Sequence, residues 1–251
     1  MQRYFVPGEQ FTDTNVTIAG DDAHHLLKVM RVKTGDRFIC CDGAGRDVLA
    51  EAIELGKDAV VASIVERLNG DNEPPVQVWI AQGLPKGDKM ETVIQKNTEI
   101  GAARFVPFVS ERTIVQYDGK KEAKRLERWR KIAKEAAEQS HRSRIPAIDE
   151  ASGWKRLLQL IPQADAAFIA YERERGFTLK QALKRMRDRT GTERAPGSVL
   201  LVIGPEGGFT EREVAEAEAA GCVPVSLGKT ILRTETAAMV GLTCILYEAM
   251  P

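Results

Sequence analysis

Two glycine-containing stretches near the C-terminal end have the residue types and spacing that best suit a ligand-binding site. Residues 204–210 follow a short apolar run at 199–203, and residues 228–238 follow another at 223–227. Loops that leave the ends of neighbouring parallel strands can meet in the crevice where open α/β sheets bind ligands. The pattern therefore predicts a pocket built largely from main-chain amides and carbonyls.

The composition of the first stretch limits the ligand it suits. It lacks the G-x-G-x-x-G spacing of dinucleotide sites and the Gly-Lys-Ser/Thr ending of phosphate loops. Glu206 within it, with Glu211 and Glu213 just after it, would repel a polyphosphate. A neutral or cationic ligand therefore fits better. Each stretch taken alone is also typical of an ordinary tight turn, and it is the pair that indicates a site.

The elements that must position these loops alternate between strand and helix from residue 76 onward. Strands are predicted at 76–81, 105–108, 166–171, 199–203 and 223–227, and helices at 89–100, 122–139, 154–161, 178–189, after residue 210 and at the end of the chain. Such alternation is typical of a mainly parallel sheet covered by helices on both faces. The C-terminal part is therefore predicted to be an α/β domain.

The first 70 residues have a different pattern. Short runs rich in β-branched residues at 16–18, 37–41, 47–53 and 59–65 predict a small barrel-like β domain. Asp21 and Asp22 precede a helical stretch at 23–30 and are interpreted as its cap. Residues 69–75 contain Asn-Gly and Pro-Pro, which both interrupt regular structure. We therefore predict two domains, at residues 1–70 and 74–251.

The composition excludes several classes of protein. The chain has 251 residues, of which 43% are hydrophobic and 29% charged, as in soluble globular proteins. Its 36 basic and 36 acidic residues argue against a protein that coats nucleic acid indiscriminately. No apolar run approaches the roughly 20 residues of a membrane span, and the N-terminus lacks a signal peptide. Four cysteines without zinc spacing and three histidines predict a cytoplasmic protein with no metal.

Several blocks of sequence together resemble the 16S ribosomal RNA (uracil-N3)-methyltransferases, the RsmE family of the SPOUT class. The C-terminal block comprises residues 204–210, Leu227-Gly228 and residues 231–237. The others are Phe5 with residues 24–32 and Gly35-Asp36; residues 86–91 with Lys96, Glu99, Pro107 and residues 110–112; and Trp129, Ile132, residues 135–136 and 138–140, Arg142 and Ile145-Pro146. The resemblance covers nearly the whole chain.

The resemblance implies a fold, a cofactor and partners. It implies an N-terminal PUA-like β-barrel for RNA binding, followed by a SPOUT α/β domain whose C-terminal segment forms a deep trefoil knot, a feature almost absent from other proteins. It also implies a homodimer and S-adenosylmethionine as methyl donor, with 16S ribosomal RNA or the 30S subunit as substrate. The cofactor-binding residues carried over are Gly204, Pro205, Glu206, Gly207, Gly208, Leu227, Gly228, Ile231, Leu232, Thr236 and Ala237.

Methylation at uracil N3 requires loss of its proton and stabilisation of charge on the flanking carbonyl oxygens. Arg233 is the candidate for those oxygens or for an RNA phosphate, and Glu235 or Glu206 for the proton or for orienting the base. An ion pair between Arg233 and Glu235 with a purely structural role is the alternative. The candidate RNA-binding residues are Arg3, Arg31, Lys86, Lys89, Arg112 and Arg142.

Two other functions remain open at this point. The first is a SPOUT enzyme that acts on a ribose 2′-hydroxyl or a transfer RNA base, because fold alone does not determine the substrate. A non-catalytic RNA-binding assembly factor with a decayed pocket is the second, and the intact glycines with the run at residues 233–237 argue against it.

Overall fold

The structure is a computed structural model that describes residues 1–68, 72–114, 119–190 and 197–249. The chain divides into two compact units: Met1–Glu73 with Lys134–Ile145, and Pro74–Ala133 with Pro146–Pro251. The first unit thus includes a segment that the predicted domain ranges leave in the second. Residues 69–71, part of the predicted linker, lie outside the described residues, as do residues 191–196.

The first unit is built on a five-stranded sheet in the order β1-β3-β4-β5-β2. The strands are β1 (Arg3–Phe5), β2 (Asn15–Ala19), β3 (Arg37–Cys41), β4 (Asp47–Leu55) and β5 (Ala59–Leu68). β1 pairs with β3 in parallel, and the other pairs are antiparallel. Two irregularities between β4 and β5, at Leu49/Ala50 and Ala52/Glu54, increase twist and curl the sheet. Alternate residues such as Val16 and Ile18 fill its core.

A short helical segment follows β2. Helix α1 (Gly20–His24) continues directly into a π-helical turn, His25–Val29. The predicted cap is wrong, because Asp21 and Asp22 lie in the first turn and the residue before the helix is Ala19, with no side-chain cap. Carboxylates in a first turn still favour the helix dipole. Arg31, shortly after the π-helical turn, has a left-handed backbone with φ 53°.

The second unit contains a parallel sheet of seven strands, in the order β12-β10-β11-β6-β7-β8, with β9 also paired to β7. The elements in chain order are β6 (Gln77–Gly83), α2 (Lys89–Ile100), β7 (Arg104–Val109), α3 (Gly119–Gln139), β8 (Ala147–Ile148), β9 (Ser152–Gly153), α4 (Trp154–Leu160), β10 (Ala166–Ala170), α5 (Leu179–Thr190), β11 (Ser198–Ile203), α6 (Glu211–Ala219), β12 (Val223–Val225) and α7 (Thr234–Ala249). The end of α3 belongs to the first unit. The predicted mainly parallel α/β architecture is confirmed.

The central strands are apolar because both faces of the sheet are covered. In β11, residues 199–203 are all buried. Leu200 and Val202 pack with Leu157 of α4 and Val214 of α6 on one face. On the other face α7 lies so close that a Cβ on its Gly241 would be 2.5 Å from Leu201 Cδ2. The strand therefore reads as a continuous apolar run, as is typical of parallel sheets.

Two kinds of short secondary-structure element were not predicted from the sequence. The first comprises the strands β1, β8 and β9, which have only two or three residues and therefore no periodicity to detect. The second comprises short 3-10 turns at Gly8–Gln10 and Ile161–Gln163. None of the helices within residues 1–68, 72–114, 119–190 and 197–249 combines the length and apolar character that spanning a bilayer requires.

Candidate functional site

The first glycine-containing loop leaves the carboxyl end of β11 and folds back tightly. The amide of Gly208 donates to the carbonyl of Pro205 at 2.9 Å, and Gly208 has φ +65°, a conformation that favours glycine. The loop also lies against the end of β6. A Cβ on Gly83 would be 2.5 Å from Pro205 Cδ and 2.6 Å from Pro205 N. Any side chain there would displace the loop backbone.

Helix α6 anchors the far end of this loop. Thr210 and Glu213 form a reciprocal capping box, and the Glu213 carboxylate also accepts from the Glu111 amide at 2.8 Å. Glu213 is 1% exposed. Its charge is therefore engaged by amide donors at a helix start, where a carboxylate is stabilising. Of the three glutamates expected to repel an anion, Glu213 is thus structural.

The second loop leaves the end of β12 and is less enclosed. Gly228 has φ +137°, and its amide donates to the Ser226 hydroxyl at 3.2 Å. Leu227 and Leu232 are half-buried, whereas the side chain of Ile231 is 88% exposed. The loop ends where α7 begins at Thr234, whose hydroxyl donates to the carbonyl of Gly204 at 2.6 Å. This hydrogen bond joins the second loop to the first.

Together the two loops line a cavity of about 1010 Å³ in the second unit. Every residue predicted to bind the cofactor lines it except Thr236. A third wall, which was not predicted from the sequence, lies at and after the end of β10 and contributes Ala170, Tyr171, Glu172, Glu174, Arg175 and Thr178. Lys89, at the start of α2, also lines the cavity. The position after a parallel strand was the signal available for the β10 segment.

Arg233 and Glu235 both line this cavity but differ in their surroundings. The Arg233 side chain is exposed. One oxygen of Glu235, Oε2, is buried and has no hydrogen-bond partner within the described residues. Glu235 Oε2 accepts no hydrogen bond from Arg233 in the part of the chain that the structure describes, so the structural alternative has no support at that oxygen. The exposed guanidinium of Arg233 and the half-buried side chain of Glu235 thus both line the cavity, and one Glu235 oxygen has no hydrogen-bond partner within the described residues.

Glu206 also lines the cavity, but its carboxylate already has hydrogen-bond donors within the protein. Its carboxylate accepts from Lys89 Nζ at 2.6 Å and from the Lys86 amide at 3.1 Å. Burial by itself would raise the pKa of this carboxyl, but the Lys89 hydrogen bond and the backbone donors outweigh burial and lower the pKa. Glu206 is therefore held as a carboxylate that already has donors, which makes it a weak proton acceptor.

Two predicted RNA-binding residues are buried inside the first unit. Arg3 Nη1 donates to Asp47 Oδ2 at 2.7 Å and to the carbonyl of Arg142 at 3.0 Å, and Arg3 is 5% exposed. Arg142 pairs with Glu73 at 2.6 Å and is 4% exposed. Both guanidinium groups are inaccessible to a nucleic acid phosphate. This corrects the RNA-binding assignment of Arg3 and Arg142.

The other predicted RNA-binding residues lie at the surface. Arg31 is exposed after the π-helical turn, and Lys86 is exposed beside the cavity rim. Lys89 is half-buried in its pair with Glu206. Arg112 is exposed, and its Nη1 donates to the Gly207 carbonyl at 3.1 Å. Lys86, Lys89 and Arg112 therefore border the first glycine-containing loop, whereas Arg31 belongs to the first unit.

Metal ligands are not grouped in the described segments. Across residues 1–68, 72–114, 119–190 and 197–249, no cluster of three or more His, Cys, Asp or Glu side chains is arranged to hold a metal ion. Cys40 and Cys222 are buried free thiols, and burial raises the pKa of each. These thiols are therefore protonated at neutral pH and act as small apolar groups.

Comparison with known families agrees with this arrangement. Residues 72–246 match the family model described as an RNA methyltransferase domain, and residues 18–65 match the model of an RNA methyltransferase PUA domain. The fold and these matches define a two-domain protein of the RNA methyltransferase class. The first unit corresponds to the PUA-like part, and the parallel sheet with its two loops corresponds to the methyltransferase part.

Individual relatives are similar along their whole length. The chain is 40% identical over 251 residues to ribosomal RNA small subunit methyltransferase E of Bacillus subtilis (strain 168), covering 99% of this chain and 97% of the relative. It is 34% identical over 239 residues to the protein of the same name in Mycobacterium bovis, covering 93% and 87%. The chain belongs to the ribosomal RNA small subunit methyltransferase E family, as the resemblance predicted.

Two solved structures share the fold. One is ribosomal RNA small subunit methyltransferase E of Neisseria gonorrhoeae bound to S-adenosyl methionine, with 31% identity and a TM-score of 0.85 over 98% of this chain and 97% of that one. The other, from Legionella pneumophila and in complex with bound SAM, has 28% identity and a TM-score of 0.84 over 98% and 96%. Both relatives therefore hold the cofactor that the resemblance implies.

Proposed function

We propose that this protein transfers a methyl group from S-adenosylmethionine to N3 of a uridine in 16S ribosomal RNA, acting in the cytoplasm. The observation that carries the proposal is the cavity where the two glycine-containing loops meet, in a chain of the small subunit methyltransferase E family. The two relatives solved with this cofactor share the fold over nearly their whole length.

The cavity lining suits a cationic ligand with a large polar outline. The main chain of residues 204–208 and 227–228 supplies amides and carbonyls for the adenosine, and Leu227, Ile231 and Leu232 supply apolar walls. Thr236 and Ala237 complete the proposed set. The carboxylates of Glu172 and Glu235 suit the positive charge of a sulfonium. When bound, S-adenosylmethionine supplies a methyl group that is electrophilic because its sulfur is positively charged.

The protein must remove the N3 proton and hold the resulting charge. We assign proton removal to Glu235, because it lines the cavity and one of its carboxylate oxygens has no partner within the described residues, whereas Glu206 is occupied by Lys89 and the Lys86 amide. The N3 proton passes to Glu235, the freed N3 electron pair forms the new bond to the methyl carbon, and the C–S electron pair remains on sulfur. Arg233 donates to a uracil carbonyl oxygen where charge develops.

The target uridine must be unpaired or flipped, because N3 lies in the Watson–Crick face. Residues 1–70 are the proposed RNA-binding domain and residues 74–251 the methyltransferase domain. Arg31, Lys86, Lys89 and Arg112 are the proposed contacts to the RNA backbone, because all four lie at the surface or at the cavity rim. Such contacts give affinity and orientation rather than sequence reading.

The knot and the dimer belong to the proposal. A deep trefoil knot at the C-terminal segment follows from the family resemblance. The outer face of α7 supports a homodimer interface, because it presents Thr243, Cys244 and the 76% exposed Tyr247 at helical spacing.

The test is transfer of labelled methyl from S-adenosylmethionine to purified 30S subunits that lack the modification, with nuclease digestion and mass identification of the nucleoside. The proposal predicts label in 3-methyluridine. Label in a ribose-methylated nucleoside, whose linkage resists alkaline cleavage, would reassign the substrate atom. If the protein binds the cofactor but labels neither 30S subunits nor free 16S and transfer RNA, only the non-catalytic RNA-binding factor would remain as an interpretation.

A further inference from the structure

A buried glutamine stands behind the cavity at the carboxyl end of β6. Gln82 is 0% exposed, and its Nε2 donates to the Thr234 hydroxyl at 2.7 Å and to the Gly83 carbonyl at 3.0 Å. Its side chain does not line the cavity. One amide thus contacts the strand end against which the first loop packs and the residue where the second loop ends.

The Thr234 hydroxyl extends this contact to the first loop. It accepts from Gln82 and donates to the Gly204 carbonyl at 2.6 Å, so its single proton and an acceptor lone pair are both used in fixed directions. Gln82 Nε2 also lies 3.5 Å from the same carbonyl. Gln82, Thr234 and Gly204 therefore form a chain of hydrogen bonds across three segments that are distant in sequence.

We infer that Gln82 is a positioning residue that sets the separation of the two cofactor loops through Thr234. The inference rests on the proposed function for its ligand, S-adenosylmethionine, but its geometric content concerns the loops themselves. Neither loop is held to the other by a strand ladder, because β12 and β11 are both paired to β10 and not to each other. The hydrogen-bond chain supplies a direct connection in place of a ladder.

Buried polar groups that are left without hydrogen-bond partners destabilise the folded state. Removing the Gln82 amide leaves the Thr234 hydroxyl without a donor in a dry environment, and removing the Thr234 hydroxyl leaves both Gln82 and the Gly204 carbonyl short of a partner. Each loss lets the loops separate. Since a preorganised pocket binds more tightly than one that must be reassembled, cofactor affinity falls.

Asn97 provides a matched control in the same unit. It is also 0% exposed, its Nδ2 donates to the carbonyl of Val93, and its Oδ1, like the Oε1 of Gln82, has no hydrogen-bond partner in the described structure. Asn97 lies within α2 and does not line the cavity. Asn97→Ala therefore removes a buried amide of the same kind without touching either loop.

The experiment compares Gln82→Ala, Thr234→Val, Thr234→Ser, the Gln82→Ala/Thr234→Val double variant and Asn97→Ala. Calorimetry measures S-adenosylmethionine affinity, and amide hydrogen exchange of the cofactor-free proteins measures opening of residues 204–209 and 227–234. We expect Gln82→Ala and Thr234→Val each to raise Kd about tenfold or more, the double variant to be no worse than about the larger single effect, and Thr234→Ser to stay within about threefold.

Asn97→Ala is expected to lower the thermal midpoint as Gln82→Ala does, while Kd and loop exchange stay at wild-type values. The inference is overturned if Gln82→Ala leaves loop exchange unchanged, or if Asn97→Ala speeds it equally. Failure of the wild-type protein to bind S-adenosylmethionine, with loop exchange still faster in Gln82→Ala, would reject the proposed function and leave the positioning role standing.

Discussion

The two units differ in whether their charged side chains have partners within the protein. In the first unit, Arg3 and Ser143 both donate to Asp47 Oδ2, and Arg142 pairs with Glu73. In the second unit, the cavity contains an exposed Arg233 and a Glu235 oxygen that has no partner within the described residues. In the first arrangement each guanidinium pairs with a carboxylate, although Arg3 Nε and Asp47 Oδ1 have no partner within the described residues, whereas the exposed Arg233 is accessible to a ligand. Partner status thus separates structural cations from functional ones.

The largest effect is expected for the buried ion pair of Arg3 and Asp47 in the first unit. Arg3→Met leaves the Asp47 carboxylate buried without its cation and should lower the free energy of unfolding by about 3–5 kcal/mol. Urea denaturation measures it. Arg37→Met is the control, because the Arg37–Glu51 pair of the same unit has side chains 51% and 33% exposed and should cost less than about 1 kcal/mol. Equal costs for the two variants would contradict the assignment of Arg3 to structure.

Arg233→Ala tests the open side of the comparison. The variant should keep cofactor affinity within about threefold of wild type and lose at least about 100-fold in methyl transfer, because the lost interaction forms mainly as charge develops on uracil. Calorimetry and transfer to 30S subunits measure the two quantities. Arg156→Ala, at an exposed position on α4 that does not line the cavity, should transfer normally. Complete loss of cofactor binding in Arg233→Ala would refute its assigned role.

Gly83→Ala changes the shape of the cavity without changing its charge. The added Cβ would lie 2.6 Å from the backbone nitrogen of Pro205, so the first loop must move. We expect S-adenosylmethionine affinity to fall about tenfold, equivalent to about 1.4 kcal/mol. Gly153→Ala places a methyl group in open space and should bind as wild type does. Unchanged affinity in Gly83→Ala would show that the loop position does not determine binding.

The smallest effects concern pH. Burial raises the pKa of Glu138 in the first unit above its ordinary value of 4.5, despite donors from Phe5 and Lys134. A raised pKa makes the folded state lose stability as pH rises above about 4.5 through the folded pKa, so Glu138→Gln should gain relative to wild type over that interval.

Glu206 has the opposite sign, because its folded pKa is lowered and its contribution is lost only as pH falls below about 4.5 through that value. Glu206→Gln should therefore lose stability relative to wild type as pH rises through the same region. Thermal midpoints between about pH 3.5 and 8 compare the two variants. Slopes of the same sign would show that the two carboxyls do not differ as the structure indicates.

Much of the second unit was accessible from the sequence because its signals are local. The boundaries of α2 at Lys89 and Ile100 match the prediction, since Gly101 ends the helix with φ +124°. The loops at residues 204–210 and 228–238 follow apolar strands and carry glycines, so they were predicted to meet, and they share one cavity. A position directly after a strand and the presence of glycine can both be recognised from the sequence alone.

The remainder depends on contacts between distant residues. Arg3 and Arg142 have the same composition signal as exposed Arg31, and only the tertiary partners Asp47 and Glu73 distinguish them. Gln82 lies one residue before the end of β6 and offered no signal, because its role is defined by Thr234, far away in the chain. The predicted cap of α1 was wrong because the helix begins at Gly20, before Asp21 and Asp22.

Hydrogen exchange of the wild-type protein with and without S-adenosylmethionine tests whether the two loops form the cofactor site. If the two loops form the cofactor site, the cofactor should slow exchange at residues 204–209 and 226–237 and leave the first unit, including residues 3–5 and 47–55, unchanged. Protection in the first unit alone, or no protection in either loop although calorimetry detects binding, would contradict the account.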